Sequence, residues 1–191
     1  MGMLTEEKDS NSWIYTNKKV DRPQELAGQR MATYAAMQPW CGALGMTYLP
    51  TPGADRYTAI ERGLADGSIV SLESGIAYSL HEVCDYFIDH GAYGGIQCIV
   101  VNSDSFNSLP EHLQQLVKDV AAEAEANAKG WADTRRAEVK QTFKDQGFTF
   151  ITFSPEDAKY FVDLAYKSRW EDLYEKYPDE APVMHQFLEG D

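Results

Sequence analysis

The feature that most constrains this chain is an unbroken helical period in its second half. Apolar or small residues recur at Leu113, Leu116, Val117, Val120, Ala124, Ala128, Trp131, Val139 and Phe143, the three-to-four spacing of one helix face. No proline interrupts them, and the one internal glycine is Gly130. Ser108-Leu109-Pro110-Glu111 reads as a capping box, with Ser108 accepting from the first turn and Glu111 reaching back, and Gly147 marks the end. A helix of roughly 36 residues within 108–146 is about 54 Å long at 1.5 Å per residue, whereas a compact globule of such a chain is about 40 Å across. One compact lobe cannot cover it. The helix therefore bridges two lobes, lies along a partner chain, or breaks near Gly130, where helix propensity is weakest.

Upstream of it, strand-like and helix-like segments alternate. Trp13-Ile14-Tyr15-Thr16 is the first β-prone run, and residues 30–34, 46–49, 68–72 and 97–102 read as further strands. Residues 35–44, 55–62 and 77–88 read as helices, with Gly45, Gly63 and Gly91 where C-caps belong. Alternation of this kind predicts an α/β sheet. Residues 1–12 are polar and unpatterned, which predicts a disordered tail. Beyond Gly147, Phe148-Thr149-Phe150-Ile151-Thr152-Phe153 alternates as a strand. Ser154-Pro155-Glu156-Asp157 starts a further helix that stops near Pro178, and a short last helix is expected over 181–188.

Composition narrows the function. The 191 residues, 43% of them hydrophobic, suffice for a sizeable core. With 30 acidic against 17 basic residues the formal charge is -13, a field that repels phosphate backbones and anionic membrane surfaces, so no nucleic acid partner is expected. No apolar run approaches the ~20 residues needed to cross a bilayer, and the first ten residues carry no export signal. Cys41, Cys84 and Cys98 are odd in number and lack CxxC spacing, which favours buried thiols over a disulfide framework or a structural zinc.

One segment suggests chemistry. His81-Glu82-Val83-Cys84-Asp85 resembles a metal-binding HExxH helix with Asp in the last place. On a helix, His81 and Asp85 would share a face and hold zinc, with Glu82 as base, in a metal-dependent hydrolase. The bland alternative is a solvated helix face. No Gly-rich phosphate loop, Gly-x-Ser-x-Gly or Cys/His arrangement stands out, so neither an enzyme nor a cofactor is expected.

Three blocks, in order, resemble the solute receptors of tripartite ATP-independent periplasmic (TRAP) transporters, the dicarboxylate-receptor (DctP-like) family. They are Pro23-Gln24-Glu25-Leu26-Ala27-Gly28-Gln29-Arg30, the stretch from Gly45 through Tyr57-Thr58-Ala59-Ile60-Glu61-Arg62-Gly63-Leu64-Ala65-Asp66-Gly67, and Val101-Asn102 through Leu109-Pro110-Glu111 to Glu123. The resemblance implies an α/β, periplasmic-binding-protein-like (type II-like) lobe with a long spanning helix and C-terminal helices. It covers 13–188 as an incomplete receptor-like domain: an α/β lobe over 13–102, the spanning helix over 108–146, and a strand and helices over 148–188. Family members are longer, so the first lobe is largely missing, either by truncation or because the chain is a natural half.

In the family a strand arginine clamps a substrate carboxylate; here that position reads Ala32. Arg30, two residues earlier, faces the same way on a strand and is the candidate substitute. A second family arginine falls at Ser12 or Trp13. Ser71 and Glu73 are the nearest polar candidates after Asp66-Gly67. Tyr34, Met37 and Trp40 follow the strand and offer either walls for an apolar ligand or core packing. The resemblance thus implies a solute-binding component that takes a small organic acid or related molecule, with Arg30, Tyr34, Trp40, Ser71 and Glu73 as ligand-binding residues. It also implies TRAP permease subunits as partners and a periplasmic location. The long helix adds two further expectations, a homodimer along it or an interaction module without ligand binding.

Overall fold

A computed structural model describes residues 2–5, 12–94 and 97–189. In chain order its strands are β1 (Gly2–Thr5), β2 (Ser12–Thr16), β3 (Arg30–Thr33), β4 (Thr47–Pro50), β5 (Gly67–Val70), β6 (Tyr86–Ala92), β7 (Gln97–Val100) and β8 (Thr149–Ile151). The α-helices are α1 (Gln38–Ala43), α2 (Arg56–Glu61), α3 (Leu72–Ala77), α4 (Ser103–Asn107), α5 (Glu111–Asp145), α6 (Pro155–Lys176) and α7 (Ala181–Glu189).

Six strands form one mixed sheet in the order β4-β3-β5-β2-β6-β8. β3 runs parallel to β4 and β5, β6 runs parallel to β8, and β2 joins the two groups antiparallel to β5 and β6. Because successive side chains in a strand point to opposite faces, neighbouring residues feed two separate cores. Ile14, Met31, Ile69 and Ile88 pack with Trp40, Cys41 and Phe161 on one face, under α1 and α6. Trp13, Tyr15, Ala32, Val70 and Phe87 pack with Ile60, Val139 and Phe143 on the other. Both faces are covered, so these strands are buried on both sides, and their polar members Ser12, Thr16, Thr33 and Ser68 are buried with them.

The long helix is continuous. α5 contains 35 residues, passes through Gly130 without a break, and is anchored by its last third: Phe143 is fully buried, and its ring meets Tyr15 edge-on at 5.7 Å and Phe148 at 5.2 Å. Its first half leaves Leu116, Val117 and Val120 exposed. Those residues border an apolar groove of about 430 Å³ completed by Ile99, Val101 and Phe106. No helix among the described residues is long and apolar enough to cross a membrane.

Several sequence expectations are corrected. Ser108 does not cap α5; it follows α4, and its hydroxyl donates to Ser105 O at 2.8 Å, while Pro110 occupies the N-cap of α5. Asn102 is the working cap of this region, accepting from Ser105 N at 3.0 Å to open α4. The expected helix over 77–88 does not exist. α3 ends at Ala77, Ser79 turns the chain at φ 51°, and Tyr86-Phe87-Ile88 enters β6 because Phe87 and Ile88 serve opposite core faces. The expected tail over 1–12 contains β1, antiparallel to β7 in a separate two-stranded sheet, and Ser12 opens β2; residues 1 and 6–11 lie outside the described residues. Cys41 and Cys84 are buried thiols whose pKa values burial pushes up to about 12; the Cys98 side chain lies outside the description.

Candidate functional site

A cavity of about 510 Å³ opens where the carboxyl ends of β3 and β5 meet the start of β2, the end of an open α/β sheet at which ligands settle. Each neighbouring element sends a residue to it. Tyr34 follows β3, Ser71 follows β5, Ser12 and Trp13 open β2, Arg56 opens α2, and the middle of α5 brings Trp131, Arg135 and Arg136. The volume lies in the range of small-molecule pockets.

The polar groups are held in defined places. Ser71 caps α3 by accepting from Ser74 N at 3.3 Å, and its own hydroxyl donates to Ser74 Oγ at 3.0 Å. Ser12 Oγ and Tyr34 Oη share a hydrogen bond of 2.9 Å. Glu73 accepts from Arg135 Nε at 2.8 Å and from the second nitrogen of that fork at 3.2 Å, a two-point geometry suited to a guanidinium and a carboxylate. This pairing holds the Arg135 guanidinium charged even more firmly than usual. Arg136 is engaged by Asp133 at 3.4 Å.

Arg56 differs from the others. Only 5% of its surface is exposed, and its Nε donates to the Thr51 carbonyl at 3.1 Å. Its guanidinium carbon lies 5.6 Å from the Tyr34 ring and 5.7 Å from the Tyr78 ring, within reach of both π faces. Burial lowers its pKa, with Tyr78 and Tyr34 opposing the shift, yet a guanidinium stays protonated in proteins. Among the described residues no carboxylate pairs with it. Tyr93 completes the wall with its backbone at φ 64°, a left-handed conformation that costs a bulky residue about 1–3 kcal/mol.

Of the residues singled out from sequence, Tyr34, Ser71 and Glu73 come together here, and Arg30 and Trp40 do not. Arg30 sits at the opposite end of β3, where its side chain donates to Asp66 at 3.0 and 3.2 Å; sharing a strand face with position 32 did not bring it to the same end of the sheet. Trp40 is fully buried, edge-on to Phe161 at 5.1 Å and stacked on Tyr93 at 5.7 Å, one layer behind the cavity wall. Ala32 and Met37 are likewise core. The metal reading loses its geometry: His81-Glu82 lies in a 3-10 turn and Asp85 in the connection to β6, so i and i+4 share no helix face. Among the described residues no three His, Cys, Asp or Glu side chains converge on a metal site.

Arg56 was missed by sequence reading, although a cation in the first turn of a helix opposes the helix dipole and so asks for another reason to be there. Arg135, Trp131 and Tyr93 carry no comparable local signal.

The sequence profile of the bacterial extracellular solute-binding proteins, family 7 (DctP), matches residues 4–177. The chain belongs to that family. A solute-binding protein of Albidiferax ferrireducens is 24% identical to this family 7 chain over 172 residues, covering 84% of the chain and 51% of its own length. Solved family relatives share the fold. A TRAP periplasmic solute binding protein from Sulfitobacter sp. NAS-14.1, with bound β-D-galacturonate, superposes with a TM-score of 0.82 at 17% identity over 97% of this chain and 62% of its own. One from Desulfovibrio salexigens, with bound orotic acid, gives 0.81 at 17% over 95% and 59%. One from Rhodoferax ferrireducens, with bound malonate, gives 0.76 at 20% over 100% and 62%. The family 7 chain thus spans about half the length of the curated relative and about three fifths of these structures, and the TRAP-receptor likeness read from its three sequence blocks holds.

Proposed function

We propose that this chain is the solute-binding component of a TRAP-type transporter, that it binds a small organic acid without transforming it, and that it works in the periplasm with membrane permease subunits. One observation carries the reading: in a chain of formal charge -13, the cavity is lined by three arginines against one glutamate, Glu73. A local positive field inside an acidic protein selects a small anion while the exterior repels polyanions. Organic acids bound in the similar solved structures support the same class of ligand. Tyr34, Ser71 and Glu73 belong to the site in this reading.

Thermal-shift and calorimetric titrations with malonate, galacturonate and orotate test it. A saturable rise in melting temperature with at least one acid is expected, because a ligand that binds only the folded state stabilises it. No response to any of them, nor to benzoate, overturns the proposal. The homodimer along the long helix is a second reading, favoured by the exposed Leu116, Val117 and Val120 beside their apolar groove. Sedimentation velocity showing only monomer removes it.

A further inference from the structure

We infer that Arg56 is the anion anchor of this cavity and that the solute it selects is a monocarboxylate with a flat, apolar body. The inference rests on the solute-binding reading above and deepens it. The three arginines that line the cavity are not equivalent. Arg135 is held by Glu73 at 2.8 Å and by Glu138 at 3.3 Å, and Arg136 by Asp133 at 3.4 Å. Arg56 has only the Thr51 carbonyl, through Nε, so the outer edge of its fork has no protein acceptor among the described residues. Arg56 is only 5% exposed as a residue, and burial disfavours its charge, so a guanidinium there without a counter-charge is a costly arrangement. An incoming carboxylate removes that penalty by accepting the two parallel hydrogen bonds the fork is shaped to give.

The surroundings of Arg56 define the rest of the ligand. Its guanidinium faces the rings of Tyr34 and Tyr78, which hold it in place without neutralising it. The Ser12–Tyr34 hydroxyl pair lies along the same wall. The apolar part of the lining is Trp13, Val70, Leu72 and Trp131, of which Trp131 is well exposed and offers a flat face to a planar apolar group. With Arg135 and Arg136 already engaged, a second carboxylate on the ligand would meet Glu73 and be repelled. One uncommitted cation therefore specifies one carboxylate.

Calorimetric titration of the whole chain with benzoate, benzamide and malonate separates the possibilities, using wild type, Arg56→Lys and Arg56→Gln. Benzoate is expected to bind wild type, and benzamide, of the same shape but neutral, at least about tenfold more weakly. Arg56→Gln is expected to lose benzoate binding by about 30-fold or more, and Arg56→Lys to fall between, because an ammonium supplies charge without the fork. Circular dichroism checks that each variant is folded. Benzoate affinity in folded Arg56→Gln within about twofold of wild type overturns the anchor and leaves the receptor reading standing. Benzamide binding as tightly as benzoate to wild type overturns the anchor without reference to any variant. Malonate binding more tightly than benzoate overturns the monocarboxylate class. Failure of wild type to bind malonate, galacturonate, orotate or benzoate overturns the receptor reading and the inference together.

Discussion

Arg135 and Glu73, one on α5 and the other on α3, join in a two-point ion pair at the rim of the cavity, with Nε to carboxylate at 2.8 Å and the second contact at 3.2 Å. The two side chains are 40% and 51% exposed, so water screens the pair and it contributes under about 1 kcal/mol to stability. Its larger effect is on charge: it removes one cation from the reach of a ligand. Glu73→Gln is expected to leave the urea midpoint nearly unchanged and to raise the affinity for malonate by releasing Arg135. Unaltered malonate affinity in that variant would show that Arg135 does not reach the ligand.

The two halves of α5 are expected to respond very differently to truncation. Phe143 is fully buried among Tyr15, Phe87 and Phe148, and Phe143→Ala should cost about 3–5 kcal/mol. Val120 is 54% exposed, and Val120→Ala should stay within about 0.5 kcal/mol in a monomer. Chemical denaturation of both variants gives the comparison directly. A substantial loss in Val120→Ala at concentrations where wild type self-associates would instead mark a covered surface.

Gly130 lies in the interior of α5, and a methyl group added there would meet nothing within 4 Å. Gly130→Ala should therefore stabilise the protein by about 0.5–1 kcal/mol through helix propensity alone. A rise in melting temperature is the expected readout. A fall would mean that the helix needs a weak point there.

Asp66 accepts from the Arg30 side chain and backbone and from Lys18 at 3.0 Å, and the Arg30 hydrogen bond holds its carboxyl well below the usual carboxylate range. A carboxyl with a depressed pKa contributes stability that is fully present above its unfolded pKa of about 3.9 and is lost as pH falls below that toward the folded value. Asp66→Asn should thus cost about 2 kcal/mol at pH 7. The gap between variant and wild type should shrink on acidification below about pH 4. Urea unfolding at several pH values tests the sign, and a gap that widens toward low pH would contradict it.

Much of the architecture was legible because it depends on local pattern. The alternation at Trp13-Ile14-Tyr15 is the division between the two core faces, and the apolar period from Leu113 to Phe143 is α5 itself. What failed were places where short range is ambiguous. Tyr86-Phe87-Ile88 is too brief to separate a buried strand from a helix turn, and Ser108 satisfied a capping pattern that Asn102 used first for α4. The site was only partly readable for a different reason. Tyr34, Ser71 and Glu73 follow strand ends and could be found by looking there. Arg56, Tyr93 and Arg135 reach the same cavity from a helix start, a left-handed turn and the middle of α5, positions related only by the folded sheet. Trp40 stood at the spacing of a core aromatic and proved to be one, while Arg30 had Asp66 as its partner across the two parallel strands β3 and β5.

The same α5 that brings Trp131, Arg135 and Val139 to the cavity also carries Leu116, Val117 and Val120 at the apolar groove. A single uninterrupted helix is a stiff rod fixed at one end, and stiffness turns small angles into distances. Val120 lies about 35 Å along the axis from Phe143, so a tilt of about 5° around that anchor displaces it by about 3 Å. A tilt of the helix at the Glu73–Arg135 pair is thereby carried to a surface far from the cavity.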